Sequence, residues 1–174
     1  MNYKNIISAI IGLFLSLGIP KNIQKKVNKE IRLTFSVEKF KMNEVLFDET
    51  VTEDLPSFFN KNNFFRLEDE ESHLGYLYIS KAPSKTDEFD YMVILNDELT
   101  ILKSKVLIYR EDYGGEIGSK RWLKQFNGKS TDDALRYGDN IVAISGATIS
   151  VRSMTNAVND LLRSLKRLTE KGLL

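Results

Sequence analysis

Between Phe64 and Glu111 the chain alternates short apolar runs with turn chemistry, and this texture restricts its fold more than any other feature of the sequence. The runs are FFRLED, LGYLYISKAP, FDYMVILN and LTILKSKVLIYRE, punctuated by an acidic turn around Glu70 and Ser72, by Gly75, by Pro83 with Ser84, and by Asn96 with Asp97. Runs of this kind, rich in β-branched and aromatic residues, read as strands, and connections this short pair neighbours antiparallel. A meander of about four or more strands is expected. In the last run Ile101, Lys103 and Lys105 alternate only imperfectly with Leu102, Val106 and Ile108, which predicts one face packed on helices and a bulge.

Beyond the strands the period changes. SKRWLKQF reads as a short helix, and STDDALRYG as another, capped by Ser130 or Thr131. From Ser150 to about Glu170, Val151, Met154, Val158, Leu161, Leu165 and Leu168 recur at spacings of three and four, with Arg163, Lys166 and Arg167 off the stripe. That pattern predicts a long C-terminal amphipathic helix packed by its apolar stripe. Residues 21–46 read as a helical linker, and 47–174 as one α+β domain, an antiparallel sheet packed with helices.

The N-terminus has a different character. Residues 1–32 carry six basic side chains (Lys4, Lys21, Lys25, Lys26, Lys29, Arg32) against Glu30, so this segment is +5 and the rest is −4, giving the whole chain +1. Between the basic flanks runs IISAIIGLFLSLGI, Ile6 to Ile19, without a charge and closed by Pro20. At 1.5 Å per residue the run would reach roughly 21 Å, short of the roughly 30 Å hydrocarbon core, so residues 1–20 are expected to be a signal peptide or a short membrane anchor. Lysines after an uncleaved anchor favour the cytoplasmic side, whereas a cleaved signal removes that constraint. The expectation is an exported or membrane-anchored protein facing outside the cytoplasm, on the periplasmic side in a Gram-negative cell.

Composition narrows the chemistry. Twenty-five Lys and Arg against 24 Asp and Glu give no dense basic surface, which argues against nucleic acid. No cysteine is present, and His73 is the single histidine. Disulfides, iron–sulfur clusters, thiolate zinc sites and two-histidine metal sites are therefore excluded, and redox chemistry would require an organic cofactor. His73 is expected to be an exposed hairpin residue. Trp122, Phe58, Phe59, Phe64 and Phe65 are expected to pack in the core or on the surface.

Ahead of the long helix stands IVAISGATISVRSMTNAV. Gly146 allows a tight turn, Ser145, Thr148 and Ser150 place hydroxyls near the helix start, and Arg152 stands in the first turn. Unpaired N–H groups and the helix dipole make such a terminus favourable for an anion. Ser and Thr also cap helices without any ligand, and spacing alone leaves both readings open.

Ser145-Gly146-Ala147-Thr148, followed by Ile149, Ser150 and an amphipathic helix, resembles the S-G-A-T attachment sequence of the FMN-binding domain family, found in peripheral flavin subunits of the sodium-pumping NADH:quinone reductase and the Rnf complex. A second segment, Tyr109-Arg110-Glu111-Asp112-Tyr113-Gly114-Gly115-Glu116-Ile117, then Trp122 to Phe126 and Gly128-Lys129-Ser130, resembles that family's glycine-containing loop and the elements after it. The resemblance covers about residues 74 to 165. It implies bound FMN, either noncovalent or joined by a threonine phosphoester at Thr148 that a flavin transferase installs from FAD. It further implies Ser145, Gly146 and Ala147 as the attachment turn, Arg152 near the phosphate, and Tyr113, Gly114, Gly115 and Glu116 toward the ring. Where the family's motif usually begins with Asp, this chain has Val142. The expected function is extracytoplasmic electron transfer with a membrane redox partner, more a carrier than an enzyme with its own catalytic residues. The alternative is a flavin-free binding or sensory module that retains the fold.

Overall fold

The structure, a computed structural model, describes residues 18–174. The expected signal or anchor lies almost wholly outside the described residues. Among the described residues no helix is long and apolar enough to cross a membrane.

In chain order the elements are α1 (Lys21–Phe35), β1 (Lys41–Glu44), α2 (Glu49–Thr52), β2 (Phe64–Glu68), β3 (His73–Pro83), β4 (Glu88–Leu95), β5 (Ile101–Ile108), α3 (Lys120–Leu123) and α4 (Thr148–Glu170). Short 3-10 turns at Gly115–Gly118 and Lys124–Phe126 flank α3. The five strands form one antiparallel meander in the order β1-β2-β3-β4-β5. The fold is thus α+β, as the alternation of runs and turns predicts. The expected bulge is present, with register shifts in the β4–β5 pair at Asp90/Tyr91 and at Ile94/Leu95.

Both faces of the sheet are covered. Phe64, Tyr76, Tyr78, Phe89, Tyr91, Val93 and Leu95 share a cluster with α4, while Phe65, Leu67, Leu77, Ile79, Met92 and Ile94 pack with α1. Strand β4 therefore buries consecutive residues, which is why FDYMVIL is almost continuously apolar rather than alternating. In α4 the stripe Val151, Met154, Val158, Leu161, Leu165 and Leu168 is fully buried, and Arg163, Lys166 and Arg167 are exposed.

Two expectations are corrected. Residues 21–46 are not a helical linker throughout: the helix ends at Phe35, where Ser36 adopts left-handed φ 57°, and 41–44 is the edge strand of the sheet. Helix α1 also buries Ile23, Val27 and Ile31 on the sheet, where each aliphatic chain is worth about 1.5–3 kcal/mol, so it is part of the core. The second correction is STDDALRYG, which is turns rather than a helix. Side chains take its backbone N–H groups instead: Asp133 accepts from Ser130 N (2.9 Å), Asn159 Oδ1 from Leu135 N (2.8 Å) and Asn140 Oδ1 from Arg136 N (2.8 Å). Such bonds compete directly with the helical ladder.

His73 is also less exposed than expected. Its side chain is 14% exposed, bonded through Nδ1 to Asp97 and through Nε2 to Gly75 O (3.0 Å). Gly75 has φ 141°, and a Cβ there would lie 2.1 Å from Leu95 O, so only glycine fits at this bend. Phe59, Phe64, Phe65 and Trp122 are buried, while Phe58 is exposed.

Candidate functional site

The loop after β5 is fixed by three consecutive side chains that reach three different elements. Tyr109 Oη bonds Ser150 Oγ on α4 (3.0 Å) and donates to the carbonyl of Tyr113 (3.1 Å). Arg110 pairs with buried Asp90 on β4 (2.5 Å) and donates to Glu88 O (2.7 Å). Glu111 accepts from Ser84 Oγ (2.6 Å), Thr86 N (2.6 Å) and Thr86 Oγ1 (2.9 Å) in the β3–β4 turn. No local sequence signal marks these roles, because the partners lie 20 to 41 positions away.

The result is a loop held against the helix start. Gly114 has φ 83°, and a Cβ there would meet Tyr109 Oη at 2.9 Å and Ala147 Cβ at 3.3 Å. This approach, rather than a turn alone, calls for glycine. Gly115 and Glu116 are exposed in the following 3-10 turn. Tyr113 is held by its carbonyl while its ring is 86% exposed.

On the other side of the contact, Gly146 (φ 83°) turns the chain into α4, whose N-cap, Ala147, is buried and provides no side-chain cap. Thr148 is exposed as the first residue of the helix, so its hydroxyl is accessible beside the unpaired N–H groups of the first turn. Thr148, Ile149, Arg152, Ser153 and Asn156 line a groove of about 240 Å³. The Arg152 guanidinium lies 5.0 Å from the centre of the Tyr137 ring, a cation–π contact that holds it at the groove. Ser145 is exposed on the turn. Ser150 is corrected: it is buried and engaged by Tyr109, so its hydroxyl does not face an incoming anion.

The approach to the turn is clamped at Val142. Trp122 Nε1 donates to Val142 O (2.7 Å), and Val142 N donates to Gln125 Oε1 (2.8 Å). The Val142 side chain is nevertheless 64% exposed, so this position accommodates an acid as readily as a valine.

Two results are expected from this geometry. Tyr109→Phe removes both hydroxyl contacts and should cost about 1 kcal/mol in a thermal or urea unfolding series, with faster amide exchange at Tyr113 to Gly115. Glu111 is held down from 4.5 to about 2, chiefly by the Ser84 hydroxyl and then by the Thr86 N–H. A carboxyl lowered by folding stabilises above its unfolded value and loses that contribution as pH falls through its folded value. Glu111→Gln should therefore flatten the acid limb of stability between about 4.5 and about 2 while lowering stability at neutral pH. An unchanged acid limb would contradict the anchoring role.

An antiparallel meander between two helices, with a glycine loop and a hydroxyl-bearing turn meeting at the N-terminus of the second helix, defines the α+β domain. Residues 85–163 match the family model of the FMN-binding domain, a match that supports FMN as the cofactor. The fold is similar to the crystal structure of Shewanella oneidensis NqrC, with a TM-score of 0.58 and 16% sequence identity, covering 85% of this chain and 96% of that one. No curated protein matches the chain.

The residues present fit the cofactor. Thr148 and Arg152 share one groove at a helix N-terminus suited to phosphate, and glycine at position 114 lets the preceding loop pack directly against Tyr109 and Ala147 beside it. Tyr113, Val142 and Ile149, which stand on the segments meeting at the turn, are large apolar side chains exposed at 86%, 64% and 52%. The groove itself is smaller than the about 300–1,000 Å³ clefts that enclose whole ligands.

Proposed function

We propose that this protein is an extracytoplasmic electron carrier whose FMN is attached through a phosphoester at Thr148. The observation that carries this reading is the exposed Thr148 hydroxyl at the uncapped start of α4, in one groove with Arg152 and beside the anchored Tyr109–Gly115 loop. When bound, FMN supplies one- and two-electron chemistry through its ring. The chain's part is to hold it. The first-turn N–H groups and Arg152 balance the phosphate charge. Ser145, Gly146 and Ala147 shape the turn that presents Thr148. Tyr113, Gly114 and Gly115 border the ring, with Glu116 at the far end of the same loop. A ring resting on exposed Tyr113, Val142 and Ile149 remains reachable by a protein partner, which suits electron transfer better than turnover of a small substrate.

The partners of this reading are a flavin transferase and a membrane redox protein, with membrane attachment or export through the N-terminal segment. Intact mass of protein co-expressed with a flavin transferase tests the linkage: a gain of one FMN less one water is expected. Alkaline phosphatase fused after Leu174 tests the location, and should be active. Val142 in place of an acid favours a second reading, a flavin-free module. Protein that gains no mass and binds no free FMN would establish that reading in place of the first.

A further inference from the structure

We infer that a second cavity, between α1, β5 and α3, is a binding site for a small organic anion carrying phosphate. The cavity is about 510 Å³, within the range of about 300–1,000 Å³ typical of ligand sites, and shares no residue with the Thr148 groove. Strand β5 is an edge of the sheet, so the cavity opens where no further strand pairs. Lys103, Lys105, Lys120 and Lys124 line it against the single carboxylate of Glu30, an excess of three positive charges.

The lysines are of two kinds. Glu30, buried on α1, binds Lys103 (2.5 Å) and Lys105 and so holds both ammonium groups at the cavity wall. Lys120 and Lys124, one helical turn apart, have no carboxylate partner among the described residues and are exposed at the rim. Asn127 and two hydroxyls add to the polar lining. Ser104 is 4% exposed and its Oγ has no hydrogen-bond partner, and the buried Thr34 Oγ1 likewise has none. Buried hydroxyls are almost always paired, so these two, one on β5 and one on α1, mark a lining whose polar groups the chain itself does not satisfy.

The chemistry of the lining selects the ligand. Several cations with two hydroxyls match a group with more than one negative charge and several acceptor oxygens, which describes phosphate better than a lone carboxylate. Leu102 and Leu123 add apolar wall for an organic body. Such a phosphate is carried by a soluble nucleotide or by a lipid headgroup.

Calorimetric titration of the full chain with adenosine monophosphate, alongside co-sedimentation with phosphatidylglycerol–phosphatidylcholine vesicles, tests the site and separates the two sources. Saturable binding in either arm is expected. Lys120→Ala/Lys124→Ala should weaken it by at least about tenfold, with the melting temperature nearly unchanged because both side chains are exposed. Ser104→Ala should weaken it less, and Thr148→Ala should leave it unchanged. The proposal is overturned by the absence of binding in both arms, by binding that survives loss of the two lysines, or by binding that Thr148→Ala removes. The last outcome would assign the anion to the start of α4. Flavin attachment at Thr148 is read separately by mass, so either conclusion can fail without the other.

Discussion

Protein co-expressed with a flavin transferase is expected to give an ultraviolet-excited yellow band that survives denaturing electrophoresis, and Thr148→Ala is expected to abolish it. The magnitude is all or none, since a phosphoester needs the hydroxyl. Thr148 is exposed and makes no capping bond, so the substitution removes the tether without removing a structural contact. The helix start contributes roughly half a positive charge, which favours phosphate at this end of α4. Ser145→Ala should reduce the band less, because that exposed hydroxyl belongs to the turn and not to the first turn of the helix. Val142→Asp should leave the fold intact, its side chain being exposed and its backbone held by Trp122 and Gln125, and should leave labelling unchanged or raise it. A band that persists in Thr148→Ala would move the tether to another hydroxyl, with Ser145 first in line because Ser150 is buried against Tyr109. A colourless wild-type protein that binds no free FMN would sink the flavin linkage altogether.

Leu161→Ala is expected to cost about 2–5 kcal/mol in stability, read by urea unfolding. Leu161 is fully buried on the α4 stripe among Met154, Val158 and Leu165, in the cluster that α4 shares with the aromatic face of the sheet. Truncation loses the transfer energy of the removed atoms and leaves a cavity in a closely packed cluster that relaxes only partly around it. Exposed Arg163→Ala, two positions along, should fall within about 0.5 kcal/mol and serves as the control. A loss at Leu161 below about 0.5 kcal/mol would mean that α4 does not pack by this stripe.

What could be read from sequence was local in origin. The four runs from Phe64 to Glu111 became strands β2 to β5, because turn residues and short connections leave neighbours no choice but to pair. The stripe of α4 was legible because a period of three and four over more than twenty residues has one structural meaning. The hydroxyl-bearing turn was visible because Gly146 and Thr148 stand next to the helix start in the chain itself.

Strand β1 escaped notice, since KMNE carries no strand pattern of its own and is extended only by pairing with β2. The segment from Ser130 to Gly138 has helix-forming composition, yet Asp133, Asn140 and Asn159 take its N–H groups, and Asn159 comes from α4. The anchoring of the site loop has the same character: Tyr109, Arg110 and Glu111 are adjacent in sequence, but α4, β4 and the β3–β4 turn that receive them are brought together only by the folded sheet.

Sequence by itself determined the alternation of elements, the buried face of α4 and the position of Thr148 at a helix start, because periodicity, turn chemistry and capping act over a few residues. Only the tertiary structure decided that both faces of the sheet are covered, that the glycine loop meets Ala147, and that four lysines converge on one cavity, because these contacts join residues that no local rule relates.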